Sequence, residues 1–178
     1  MPIDWTTWKN DVKSFFDSKS AVTEDFAAQY IALQYTNAVL QGGDSIAGNV
    51  VIVQPAMTRA LKDEILGAFE DAKNLTEINL VPLLFGSKIS NGLINFWKGA
   101  QLGVLIPPLG SILIVPPNQV AVPGVVMPRL EVGHETDFTE ILAAFFQQHL
   151  QKLSGITIAL IPAAPSPIPT PFPWTGYV

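Results

Sequence analysis

The sequence predicts an α+β fold. It has a mostly helical N-terminal part, a strand-rich C-terminal part with one helix, and an extended proline-rich C-terminal arm. Three observations carry this reading. Apolar residues recur at helical spacing over much of residues 1–100. Beyond residue 100, β-branched runs are punctuated by Pro, Gly and Asn. The C-terminus alternates proline with other residues, at Pro165, Pro167, Pro169, Pro171 and Pro173. The expected organisation is one globular domain over 1–161, helical over 1–100 and mixed over 101–161, followed by the arm over 162–178.

The elements follow in order. Asp4 is placed to cap a first helix, with Trp5, Trp8, Val12, Phe15 and Phe16 on one side and Lys9, Asp11, Lys13 and Asp17 in water. Thr23 to Gln41 reads as a second helix. Phe26, Tyr30 and Leu33 share a face there, with Ala27, Ile31, Ala38 and Val39 beside them. Gly42-Gly43 is expected to stop it in a left-handed cap. Val50–Val53 reads as a strand or a helix approach. Pro55 fits the first turn of a third helix, with Met57, Leu61, Ile65, Ala68 and Phe69 inside. Residues 74–100 read as two short turns, capped by Thr76 and Ser90. Gly110–Val115 and Val120–Val122 flank the turn Pro116-Pro-Asn-Gln119 as a hairpin. A last helix starts near Asp137, places Phe138, Leu142, Phe145, His149 and Leu153 on one face, and ends at Gly155. Ile156–Ile161 reads as a strand.

Composition narrows the function. Charged residues make up only 14% of the 178, against about a quarter in a typical globular protein, and mean hydropathy is positive. A surface so short of charge is expected to be covered, by protein partners or by a membrane. Net charge is −5 with ten Lys and Arg and no basic run, so no nucleic-acid partner is expected. The absence of cysteine removes disulfides and thiolate chemistry. The N-terminus has no basic start followed by an apolar run, so no signal peptide is expected. The uncharged stretch 99–128 is long enough to span a bilayer. Pro107, Pro108, Pro116, Pro117 and Pro123 interrupt it, however, and a membrane span is not expected.

No catalytic pattern stands out. Gly133-His-Glu-Thr-Asp137 gathers His134, Glu135 and Asp137 near Glu140 but matches no metal-binding spacing, and acids at a helix start satisfy the helix dipole. His149 lies on an apolar helix face without a serine elbow near it. No phosphate loop or dinucleotide fingerprint occurs. No catalytic, cofactor-binding or metal residues and no cofactor are therefore expected.

The arm is the most specific feature. Alternating prolines make it stiff, so ordering it on a partner costs little entropy, and in polyproline II geometry it would reach roughly 35–40 Å. Pro167, Pro169, Phe172, Trp174 and Tyr177 are the expected interface anchors, and Trp5 and Trp8 either pack within the domain's own core or form a second candidate surface.

Three segments together carry a resemblance. They are Asn95-Phe-Trp-Lys-Gly-Ala100 followed by Pro107-Pro-Leu-Gly-Ser111, then Gln148-His-Leu150 followed by Ser154-Gly-Ile156, then Pro171-Phe-Pro-Trp-Thr-Gly-Tyr177. The combination resembles small virion structural proteins of contractile-tailed, broadly T4-like bacteriophages, over residues 90–178. The resemblance implies a non-enzymatic part of a phage tail, baseplate or neck, assembled in the host cytoplasm. Its partners would be other virion proteins and further copies of itself in a symmetric ring. It carries no site residue with it. The competing readings are a membrane-associated protein using the 99–128 stretch and a small hydrolase around His134 or His149.

Overall fold

The computed structural model describes residues 3–18, 22–42, 50–52, 55–77, 80–98, 101–103, 112–115, 135–151, 153–161 and 168–175. Side chains are described for the five helices and their flanks, except at Pro82 and residues 135–137, and the remaining stretches as backbone path. The helices are α1 (Trp5–Asp17), α2 (Glu24–Gln41), α3 (Pro55–Asn74), α4 (Val81–Trp97) and α5 (Glu135–Gln151).

The body with described side chains is 88% helical and contains no strand. It is all-α, and this corrects the α+β expectation. The physical reason lies in the core. Every large buried side chain in it comes from a helix or its immediate flank, from Trp8 and Phe15 on α1 to Phe145, Phe146 and Leu150 on α5. β-branched runs beyond residue 100 signal extended backbone, and the backbone is indeed extended over Ile112–Val115 and Ser154–Ile161. Extended backbone alone does not make a layer of the fold; what packs does. Val120–Val122 and the turn before it lie outside the described residues.

Each helix is built from local rules. The Asp4 carboxylate accepts from the Thr6 and Thr7 backbone N–H groups at 3.0 Å each, and from the Thr7 hydroxyl at 2.7 Å. These bonds to its ionised form hold the Asp4 carboxyl below its ordinary range. Thr23 caps α2 through the Phe26 N–H. Gly42 ends α2 with φ −80° and ψ −174°, which is extended backbone and not the expected left-handed cap. α3 begins at Pro55, where a missing N–H costs nothing.

α4 is the largest departure at the level of elements. Residues 81–97 form one continuous helix where two capped turns were expected. Pro82 sits in its first turn as a starter. Ser90 is buried in mid-helix and caps nothing. Gly86, Ser87, Asn91 and Gly92 weaken the helical signal, but packing overrides propensity: Phe85, Ile89, Leu93, Phe96 and Trp97 are all buried. α5 starts at Glu135, ahead of Asp137, and ends at Gln151, ahead of Gly155. Its anticipated face is right, since Phe138, Leu142, Phe145, His149 and Leu153 are all buried.

α3 is the hub. Gly92 on α4 lets the two helices approach so closely that a Cβ there would lie 2.9 Å from Leu61 Cδ1 and 3.1 Å from Glu64 Cβ. Ion pairs tie α3 to both neighbours. Lys62 holds Asp25 at 2.7 Å and Lys73 holds Glu24 at 2.6 Å, both on α2. Asp71 holds Lys88 of α4 at 3.0 Å. Aromatic contacts join the other helices: Trp8 meets Phe146 at 5.5 Å, and Tyr35 meets Phe146 at 4.6 Å and Phe96 at 5.1 Å.

Candidate interaction surface

The α1 tryptophans turn inward. Trp8 is buried, edge-on to Phe146 of α5 at 85°. Trp5 is half-buried, edge-on to Trp8 at 5.8 Å. The pair fastens α1 to the body, and Trp8 offers nothing to a partner from outside. Its indole N–H is buried with no hydrogen-bond partner among the described residues. Trp97 contrasts with it: its indole N–H donates to the Tyr35 hydroxyl at 2.7 Å inside the core.

The arm anchors Pro167 and Tyr177 lie outside the described residues. Pro169, Phe172 and Trp174 lie on Ile168–Thr175, described as backbone. That stretch runs antiparallel beside Ser154–Ile161 of the same chain, with Ser154 opposite Thr175 and Ile161 opposite Ile168. Proline at every second position puts all the missing N–H groups on one side of an extended segment and leaves the other side able to pair.

An apolar surface outside the expected interface anchors lies on α2, a helix whose scarcity of charge already implies cover on more than one side. From Phe26 to Gln41 the helix carries no charged residue. Its buried face is made of Ala27, Ala28, Ile31, Ala32, Tyr35, Thr36, Ala38 and Val39. The face shared by Phe26, Tyr30 and Leu33 is the outer one: Phe26 is 48% exposed, Leu33 43% and Leu40 50%, while Tyr30 is half-buried. The small residues were the signal. Four alanines on one face let the helix press close to its neighbours, whereas bulkier residues there would hold them apart. Phe26 retains one aromatic neighbour, Phe15, at 5.4 Å. Tyr30 stacks on Phe15 at 3.8 Å, and burial together with the nearby Asp11 carboxylate pushes its hydroxyl above the usual phenol range.

No chemistry gathers elsewhere on the described body. Among the described residues, no group of three His, Asp or Glu side chains is placed to hold a metal ion. His149 is fully buried on α5, and His134 lies outside the described residues. No helix among the described residues is long and apolar enough to cross a membrane. No protein-family model, curated protein or solved structure matches the chain.

Proposed function

We propose that the chain is a non-enzymatic structural component of a contractile-tailed bacteriophage particle, present in several copies and held by apolar contact. The observation that carries this reading is the outer face of α2, with three large apolar side chains on a helix uncharged from Phe26 to Gln41. An isolated soluble domain normally spends its exposed helix faces on charge. The low overall charge and the resemblance over residues 90–178 point the same way. The test is quantitative mass spectrometry of purified phage particles from the host that makes this chain. A fixed stoichiometry of several copies per particle is expected. Absence from intact particles overturns the proposal.

A further inference from the structure

The exposed stripe of α2 has a chemical symmetry of its own. Phe26 and Leu40 each lie seven residues from Leu33, and Gln29 and Asn37 each lie four residues from it. All five are exposed. They share one sector of the helix, because steps of four and seven residues return to nearly the same side at 3.6 residues per turn. Read in either direction from Leu33, the order is the same: an amide, then a large apolar side chain.

We propose that this face pairs with the same face of a second copy, antiparallel, with a two-fold axis at Leu33. In that arrangement Leu33 meets Leu33, Phe26 meets Leu40 of the other copy, and Gln29 meets Asn37. Side-chain amides carry both donors and acceptors, so each Gln–Asn pair satisfies itself at the edge of the seam. Apolar groups meet only apolar groups. An isologous contact requires this kind of self-complementarity.

Electrostatics selects the direction. The acidic residues of α2, Glu24 and Asp25, lie in its first turn, already held by Lys73 and Lys62. A parallel pair would set the two acidic turns side by side. The antiparallel pair sets them at opposite ends of a helix about 27 Å long, each facing the uncharged last turn of the other copy. The helix dipoles then oppose as well. The proposal rests on the assembly reading above and supplies one of its contacts. A single helix pair lies at the small end of specific interfaces, under about 1,200 Å², so a weak contact is expected, with a dissociation constant of roughly 1–100 µM.

The experiment is sedimentation equilibrium of the full chain across a concentration series, with Leu33→Asp and Leu33→Lys alone and mixed. The wild-type chain moves from 19.3 kDa towards twice that mass. Each charged variant, checked for helicity by circular dichroism, stays at the lower mass, with the dissociation constant raised at least about 100-fold by like charges at the axis. Mixing the two restores the dimer, because position 33 meets position 33. A monomeric wild type, or a mixture that stays monomeric beside a dimeric wild type, overturns the proposal.

The absence of native cysteine gives a second reading should either charged variant fail to fold. Helix axes 9–10 Å apart bring facing Cα atoms to roughly 4–5 Å, within disulfide reach. Leu33→Cys then forms a disulfide dimer on mild oxidation, and Asn10→Cys, exposed on α1, does not. Equal cross-linking of the two, or none, overturns the pairing. The two proposals fail separately. A particle component that never dimerises removes the α2 contact alone, whereas a dimer absent from particles removes the phage role alone.

Discussion

Two buried indoles separate what a hydrogen bond contributes from what burial contributes. Trp97 donates to Tyr35 at 2.7 Å, and Trp8 has no such partner among the described residues. Both are packed against aromatic rings. Tyr35→Phe keeps the ring contacts to Phe96 and Phe146 and deletes the acceptor, so it should lower unfolding stability by about 1–2 kcal/mol. Urea denaturation reads this as a lower midpoint at unchanged slope. Trp8→Phe removes an indole whose N–H returns nothing for its burial. It should cost about 1 kcal/mol or less and clearly less than Trp97→Phe, compared in the same titration. Equal losses at the two tryptophans would mean that indole packing alone sets both.

Among the elements, α3 and α4 show backbone proximity competing with helix propensity. Gly92→Ala gains about 1 kcal/mol of propensity in mid-helix. It also drives a methyl to 2.9 Å from Leu61 Cδ1 and 3.1 Å from Glu64 Cβ. Leu61 is fully buried and Glu64 Cβ is fixed to the α3 backbone, so overpacking should win with a net loss of about 1–2 kcal/mol. Adding Leu61→Ala makes room for the new methyl. The double variant should therefore be more stable than the sum of the single losses implies, a coupling that a double-mutant cycle in chemical denaturation measures. Additive losses would show that the helices part without resistance. The glycine that weakened the sequence signal for α4 is thus the residue that seats α4 on α3.

For the molecule as a whole, acid is the informative stress. Asp4, bonded first of all by the Thr7 backbone N–H, and Glu24, bonded first of all by Lys73, both titrate below their ordinary values of 3.8 and 4.5. A group depressed in the folded state stabilises at pH above its unfolded value and loses that contribution as pH falls through the folded one. Melting temperature should therefore hold level down to about pH 4.5 and decline below it. Replacing Glu24 by Gln should flatten part of that decline in a calorimetric pH series, and an unchanged slope would remove Glu24 from the explanation. Lys88 works in the opposite sense. Its bond to Asp71 raises it above the ordinary 10.5, so its contribution is complete below that value and lost as alkali takes pH past the folded one. Both carboxylates and Lys88 reach solvent, so salt screens these effects.

How far the sequence disclosed this molecule follows from the same contacts. α1, α3 and the buried face of α5 were legible, because each pairs a clear apolar periodicity with a cap, a starting proline or a charged outer face. α4 was not, because Pro82, Ser90 and Gly92 each carry a local meaning that packing reverses. The orientation of α2 was hidden for a different reason. A helix with apolar residues on every side and no charge after its first turn has little periodic contrast, so its sequence does not say which face packs, and the small side chains make the tighter contact. The fold class was misread because β-branched runs report backbone extension, whereas the core is assembled by helices. Trp5 and Trp8 left two readings open in the sequence, because two tryptophans on a short helix fit a dock on one's own body as well as on another's, and Trp8 takes the first.

The meeting of Trp8 with Phe146 has a consequence in time. The chain leaves the ribosome from its N-terminus, so α1 to α4 emerge well before α5. At about 5–20 residues per second, the interval between completing Trp97 and completing Gln151 is roughly 3–10 s. Through that interval Trp8 and Tyr35 wait without the phenyl ring of Phe146 that finally packs against them. A nascent chain paused before α5 therefore presents these uncovered rings to whatever is near, and chaperone occupancy on ribosome-bound chains should peak there and fall once α5 is out.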